Sequence, residues 1–133
     1  MEAIDYRLIN NKLLDNKLLD NKLLDNKLLD NKKDFLIDSS VNIFKALGDE
    51  TRLRIMNALL EKPLTVTGIV ANTNVSQSCV SHQLKFLKQL RLVKSERKGK
   101  YIVYSLDDEH IIDIITVTYE HVKEEIDDHE WKR

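Results

Sequence analysis

From Val66 to Leu106 the sequence changes period twice, and few folds accommodate the order in which it does so. Val66 to Ala71 suits a short helix, Thr73-Asn74-Val75 reads as a turn, and Ser76 stands where the next helix needs an N-cap. Along Gln77 to about Leu90, a step of about 100° per residue brings Val80, Leu84 and Leu87 onto one stripe. The same step sets Ser78, Ser81, His82, Lys85 and Gln89 on the opposite side. From Val93 to Leu106 β-forming residues take over, interrupted by Arg97-Lys98-Gly99-Lys100, where glycine permits a tight hairpin turn. Helix, turn, helix and basic hairpin in this order predict a winged helix-turn-helix, mainly α with a small β-hairpin.

One face of the second of these helices packs, and the other offers hydrogen bonds and charge. Gln77, Ser78, Ser81 and His82 are side chains that can reach base edges, and Lys85 can meet phosphate. Arg97, Lys98 and Lys100 put three cations at the hairpin tip, where a DNA backbone could lie. Double-stranded DNA is therefore the expected partner, against the plainer alternative of a solvated surface helix. The net charge of −1 conceals a division that bears on this. Between Ser76 and Tyr104 the balance is +6, and between Asp107 and Glu130 it is −9. A basic block beside an acidic one points to one surface for a polyanion and another for cations.

The acidic block holds Asp108, His110, His121 and Glu124, potential metal ligands around an apolar middle. On a helix, eleven residues return the chain to within roughly 20° of its starting direction but carry it about 16 Å along the axis. One ion cannot bridge that gap, because zinc ligands sit at about 2.0–2.2 Å. Either the two ends are unrelated, or each is half of a site that a second chain completes. Ile111, Ile112, Ile114, Ile115, Tyr119 and Val122 form a broad apolar face with the two histidines at its edge, suited to pairing.

Upstream, Ser39 or Ser40 is expected to cap a first helix carrying Val41, Phe44 and Leu47, with Gly48 ending it. Asp49 caps a second, with Leu53, Met56, Leu59 and Leu60 at helical spacing and Pro63 stopping it. Residues 11–30 are four identical copies of Asn-Lys-Leu-Leu-Asp. A period of five advances a helix by about 140° per copy, so the leucine pairs spiral and form no single stripe. The tract reads as a weakly helical or disordered extension, with a self-associating helix or a specific partner site as alternatives.

FKALGDETRLRIMNALL, NVSQSCVSHQLKFLKQLRLVKSERKGKYIVYSL and the Asp-x-His, His-x-x-Glu spacing together resemble the ArsR/SmtB family of winged-helix metalloregulators, from about Val41 to Glu124. The resemblance implies a homodimeric repressor that binds an imperfect inverted repeat in operator DNA and is released when metal binds. It implies the zinc-sensing type, with Asp108 and His110 of one chain joined by His121 and Glu124 of the partner subunit. Two imidazoles and two carboxylates suit tetrahedral zinc, with cobalt as its stand-in, whereas nickel prefers more ligands. His129 could add one if the tail folded back. On this reading 1–37 is an extension bearing the repeats, 38–126 the DNA-binding and metal-sensing domain, and 127–133 an acidic tail.

Other chemistries fit less well. Family members that bind softer metals use cysteines near the third helix, where this chain has LTVTGIV; its lone Cys79 lies in the Gln77 helix and reads as a small packed side chain. A single cysteine also points to the cytoplasm, and the sequence has no run of about 18 apolar residues such as a membrane-spanning helix needs. A hydrolytic zinc enzyme needs an open coordination position and a general base, and no spare base is evident. The remaining alternative is a winged-helix regulator without a metal effector.

Overall fold

The computed structural model describes residues 26–129. In order these form α1 (Asn26–Leu47), α2 (Glu50–Glu61), α3 (Val66–Thr73), α4 (Gln77–Gln89), β1 (Val93–Lys98), β2 (Tyr101–Leu106) and α5 (Glu109–His129). The chain divides into two units, Met1–Val41 and Asn42–Arg133, and the second contains the buried core.

Local chemistry sets most of the element ends. Asp49, in extended backbone, accepts the Arg52 N–H at 3.0 Å and starts α2; Lys62 closes it, one residue before Pro63. Thr65 does the same for α3 by accepting the Gly68 N–H at 3.1 Å. That helix ends at Asn74, whose φ of 57° is left-handed and whose N–H reaches Val70 O. Ser76 then caps α4 through the Cys79 N–H at 3.3 Å. The far end of α4 closes without glycine. Arg91 takes φ 57°, its N–H bonds Lys88 O at 3.1 Å, and the Leu92 N–H reaches Leu87 O at 2.9 Å. That pair of bonds is the Schellman arrangement, with arginine in the position glycine usually fills.

The first helix starts earlier than the sequence indicated. It is already under way at Asn26, so Ser39 and Ser40 lie in its interior and cap nothing. Between Asn26 and Leu47 there is neither glycine nor proline, and serine inside a helix costs only a few tenths of a kcal/mol relative to alanine, so nothing interrupts it. The repeat copies before Asn26 lie outside the described residues.

The core is a single cluster drawn from every element of the second unit. Ile55, Met56 and Leu59 of α2 meet Ile69 of α3, Val80, Leu84 and Leu87 of α4, Leu92 and Val93 at the hairpin's start, Leu106 at its end, and Ile111 and Ile115 of α5. The strands pair antiparallel, from Val93 opposite Leu106 to Lys98 opposite Tyr101. A single bridge, with Leu64 and Tyr104 exchanging N–H···O bonds of 2.9 and 2.7 Å, ties β2 to the segment between α2 and α3. The hairpin is thereby fixed at its base while its tip projects.

Gly99 makes that tip. It takes φ 63° at the first of two turn positions, where a type II′ hairpin turn places glycine. A Cβ there would meet nothing within 4 Å, so Gly99→Ala carries backbone strain alone. The expected loss is about 1 kcal/mol, read as a lower denaturation midpoint with an unchanged urea m-value.

Candidate functional site

The polar face of α4 is presented as its spacing predicts. Val80, Leu84 and Leu87 are 0%, 1% and 0% exposed, whereas Gln77, Ser78, Ser81, His82 and Lys85 are all exposed. Burial of the first three against α2 and α3 aims Ser78, Ser81, His82 and Lys85 outward, because these lie about 100–160° around the helix from Val80; Gln77 is exposed as the first residue of α4. Cys79 is half-buried on the flank, as a packed side chain would be.

Beside this face stands the hairpin tip, with Arg97, Lys98 and Lys100 exposed. The register distinguishes them. Side chains alternate along a strand and cross-strand partners share a face. Val93, Ser95 and Arg97 therefore lie on one face with Leu106, Tyr104 and Ile102, and Lys98 lies on the other with Tyr101. The first face is the one turned toward α4, because Lys88 Nζ of α4 donates to Ser95 Oγ at 2.7 Å. Arg97 thus extends from the side of the wing that adjoins the helix, and Lys98 from the side away from it.

At the start of α5, Asp108 Oδ1 accepts the Ile111 N–H at 3.2 Å and lies 3.6 Å from His110 Nδ1. Both side chains are open, Asp108 at 49% and His110 at 88%. Ligand atoms of a tetrahedral zinc with bonds of about 2.0–2.1 Å are separated by roughly 3.4 Å, so this pair fits two corners of such a site with little movement. His121 and Glu124, exposed and three residues apart, share one side of the helix near its other end. Among the described residues, no three His, Cys, Asp or Glu side chains gather about one point. The side chain of His129 lies outside what the structure describes.

Asp108 thus has a part in capping α5 whatever else it does. Asp108→Ala removes the cap and is expected to cost about 1 kcal/mol of stability, whereas Asp108→Asn retains it within a few tenths. Thermal unfolding of the two variants checks this, and Asn is the substitution that separates capping from metal ligation.

The apolar face of α5 is shared between two uses. Ile111 and Ile115 enter the core, while Ile112, Tyr119, Val122 and Ile126 remain exposed. Tyr119 also borders a groove between α2 and α5 with Leu53 and Asn57, and the partial desolvation of its ring there pushes the phenol above the usual value. Sequence reasoning did not anticipate Arg52 or Gln83. Arg52 Nε donates to Gln83 Oε1 at 2.9 Å, and its guanidinium lies 4.3 Å from the Phe86 ring centre. The partners are 31 residues apart, and no local pattern announces such a contact.

Comparison with known proteins agrees with this architecture. The family model described as bacterial regulatory protein, arsR family, matches residues 49–95. A transcriptional repressor SmtB homolog from Synechocystis sp. is 43% identical over 81 residues, 61% of each chain. The cadmium resistance transcriptional regulatory protein CadC homolog of Staphylococcus aureus is 36% identical over 97 residues, 70% of this chain and 80% of the relative. In structure, the chain is similar to the homodimeric winged helix-turn-helix DNA-binding domain of a possible ArsR-family regulator from Mycobacterium bovis. That likeness has a TM-score of 0.69 at 24% identity and covers 77% of this chain and 94% of the other.

Proposed function

The chain belongs to the ArsR family of bacterial regulatory proteins, and on that premise we propose that it is a metal-responsive transcriptional repressor acting in the cytoplasm as a homodimer. The family consists of transcriptional regulators and not of enzymes. Among the described residues no helix is long and apolar enough to cross a membrane.

In this reading α4 enters the major groove of operator DNA. Gln77, Ser78, Ser81 and His82 meet base edges, Lys85 meets phosphate, and Arg97, Lys98 and Lys100 follow the backbone beside the groove. Two α4 helices about one DNA turn apart match an imperfect inverted repeat. The exposed stripe of Ile112, Tyr119, Val122 and Ile126 supports pairing of two α5 helices, which run antiparallel so that the start of one adjoins the end of the other.

The observation that carries the metal reading is the arrangement of donors at the two ends of α5. Asp108 and His110 stand within 3.6 Å at one end, and His121 and Glu124 share a face about 16 Å away. Neither pair completes a site, and together they supply two imidazoles and two carboxylates. We assign one site to Asp108 and His110 with His121 and Glu124 of the partner subunit, and a second, equivalent site by symmetry. These four side chains would hold zinc, which would join the two chains; cobalt would suit the same donors, and nickel less so. The ligating side chains favour one relative setting of the two chains, and a setting that spaces the α4 helices less well on DNA weakens operator binding. By linkage, DNA then weakens metal binding by the same factor. The acidic surroundings of the site favour cation entry.

Operator-binding anisotropy with and without zinc, at fixed salt, tests the proposal. The expected result is a zinc-dependent loss of roughly 5- to 150-fold in affinity, and equal affinity in both conditions contradicts it. A second reading, a regulator of this fold without a metal effector, is favoured by the cap at Asp108, which explains that carboxylate without an ion. Equilibrium dialysis with zinc separates the two, because the second reading requires no stoichiometric uptake.

A further inference from the structure

The core contacts of α4 fix its place closely but set its rotation about its own axis only to within a few degrees. Val80, Leu84 and Leu87 are held by apolar burial, which has no directional preference, so close packing stops a large roll of the helix about its axis but not one of a few degrees. Side-chain ends lie about 6 Å from that axis, so a roll of roughly 5° moves them about 0.5 Å. That exceeds the few tenths of an ångström over which a hydrogen bond to a base edge keeps its strength. Something directional must therefore set the roll.

Two side-chain ties do so. Lys88 bonds Ser95 on the wing at 2.7 Å. On the other flank, Gln83 and Phe86, three residues apart, form the seat for Arg52 of α2. At about 100° per residue, Gln83 and Phe86 fall between the buried stripe and His82, whereas Lys88 falls beside Gln77 and Ser81. The two ties thus flank the presented face. Arg52 is suited to its place because a planar guanidinium can stack on a ring and donate in its own plane at once, which an ammonium cannot. Its own backbone is fixed in the first turn of α2 by the bond to Asp49.

We propose that Arg52 is a positioning residue, which sets the roll of α4 and hence the register of its polar face on DNA, acting through Gln83 and Phe86 and touching no DNA itself. Gln83, held by Arg52, reads no base. The proposal rests on the reading of α4 as the DNA-contacting helix.

The test uses the full chain and a duplex selected by the wild-type protein from a randomised pool. Arg52→Met and Gln83→Met are each expected to weaken binding roughly tenfold, the change that loss of one charge-assisted hydrogen bond brings. The double variant is expected to be no weaker than either single variant, because both remove the same tie. Arg52→Lys is expected to fall between wild type and Arg52→Met. The dependence of affinity on salt keeps its slope, because no phosphate contact is lost. Wild-type affinity in Arg52→Met, additive losses in the double variant, or a slope reduced by about two, the signature of one direct phosphate contact per chain of a dimer, each overturn the proposal.

Hydrogen exchange of the DNA-free chain provides a reading independent of any operator. Faster exchange of the α4 amides in Arg52→Met, with the α2 amides unchanged, supports the tie, and unchanged α4 exchange overturns it. A wild-type chain that selects no duplex counts against the DNA reading, while the exchange result still decides the role of Arg52.

Discussion

His121→Ala is expected to leave operator binding in the absence of metal unchanged and to abolish the response to zinc. The side chain is exposed and outside the core, so its removal should shift stability by no more than about 0.5 kcal/mol. In the proposed dimer each chain contributes His121 to its partner's site, so one substitution damages both sites at once. Three remaining ligands hold zinc less tightly and no longer force the two final helices into one setting. A coupling of about 1–3 kcal/mol between metal and DNA should therefore disappear. Glu124→Ala is expected to do the same. Anisotropy titrations of each variant with and without zinc measure this, and a variant that is still released by zinc contradicts the assignment of its residue.

The other large effect lies on the wing. Replacing Arg97, Lys98 and Lys100 together by alanine removes three exposed cations from a tip that makes no core contact. Stability should hardly change, but the response of DNA binding to salt should. If each cation meets a phosphate, two wings account for six contacts, and the slope of log affinity against log salt falls by about five. Lys94→Ala, exposed near the base of the hairpin, should leave the slope nearly unchanged. Among single changes Arg97→Ala should exceed Lys98→Ala, because Arg97 lies on the face of β1 that adjoins α4. An unaltered slope in the triple variant would remove the wing from the DNA interface.

The helix ends that the sequence announced are those with a capping side chain or a proline, as at Asp49, Pro63 and Ser76. Their signals are local and depend on nothing beyond the next turn. The split of α4 into buried and presented faces was legible for the same reason, since a period of 3.6 survives any tertiary setting. Ser39 and Ser40 misled because a serine inside a helix and a serine that caps one are the same residue, and only the absence of a break upstream distinguishes them. The end of α4 carries no glycine, and Arg91 takes a left-handed conformation that its type does not advertise. On α5 the wheel showed one broad apolar face. Which part enters the core, Ile111 and Ile115, and which stays open, Ile112, Tyr119, Val122 and Ile126, depends on where the hairpin delivers the helix. Contacts such as Leu64 with Tyr104 and Arg52 with Gln83 are tertiary throughout and leave no periodic trace.

In the proposed dimer each metal site is built from opposite ends of α5 in two different chains. Complementation tests it directly. One variant lacks the first pair of ligands (Asp108→Asn with His110→Ala), and the other lacks the second (His121→Ala with Glu124→Ala). Homodimers of either hold no complete site, but a mixed dimer assembles one intact site, from Asp108 and His110 of the second variant with His121 and Glu124 of the first. Zinc titration of each variant alone and of the two after exchange of subunits is the measurement. Tight uptake that appears only in the mixture, at one ion per mixed dimer, is the predicted result; uptake by either variant alone, or none in a mixture shown to contain mixed dimers, would contradict it.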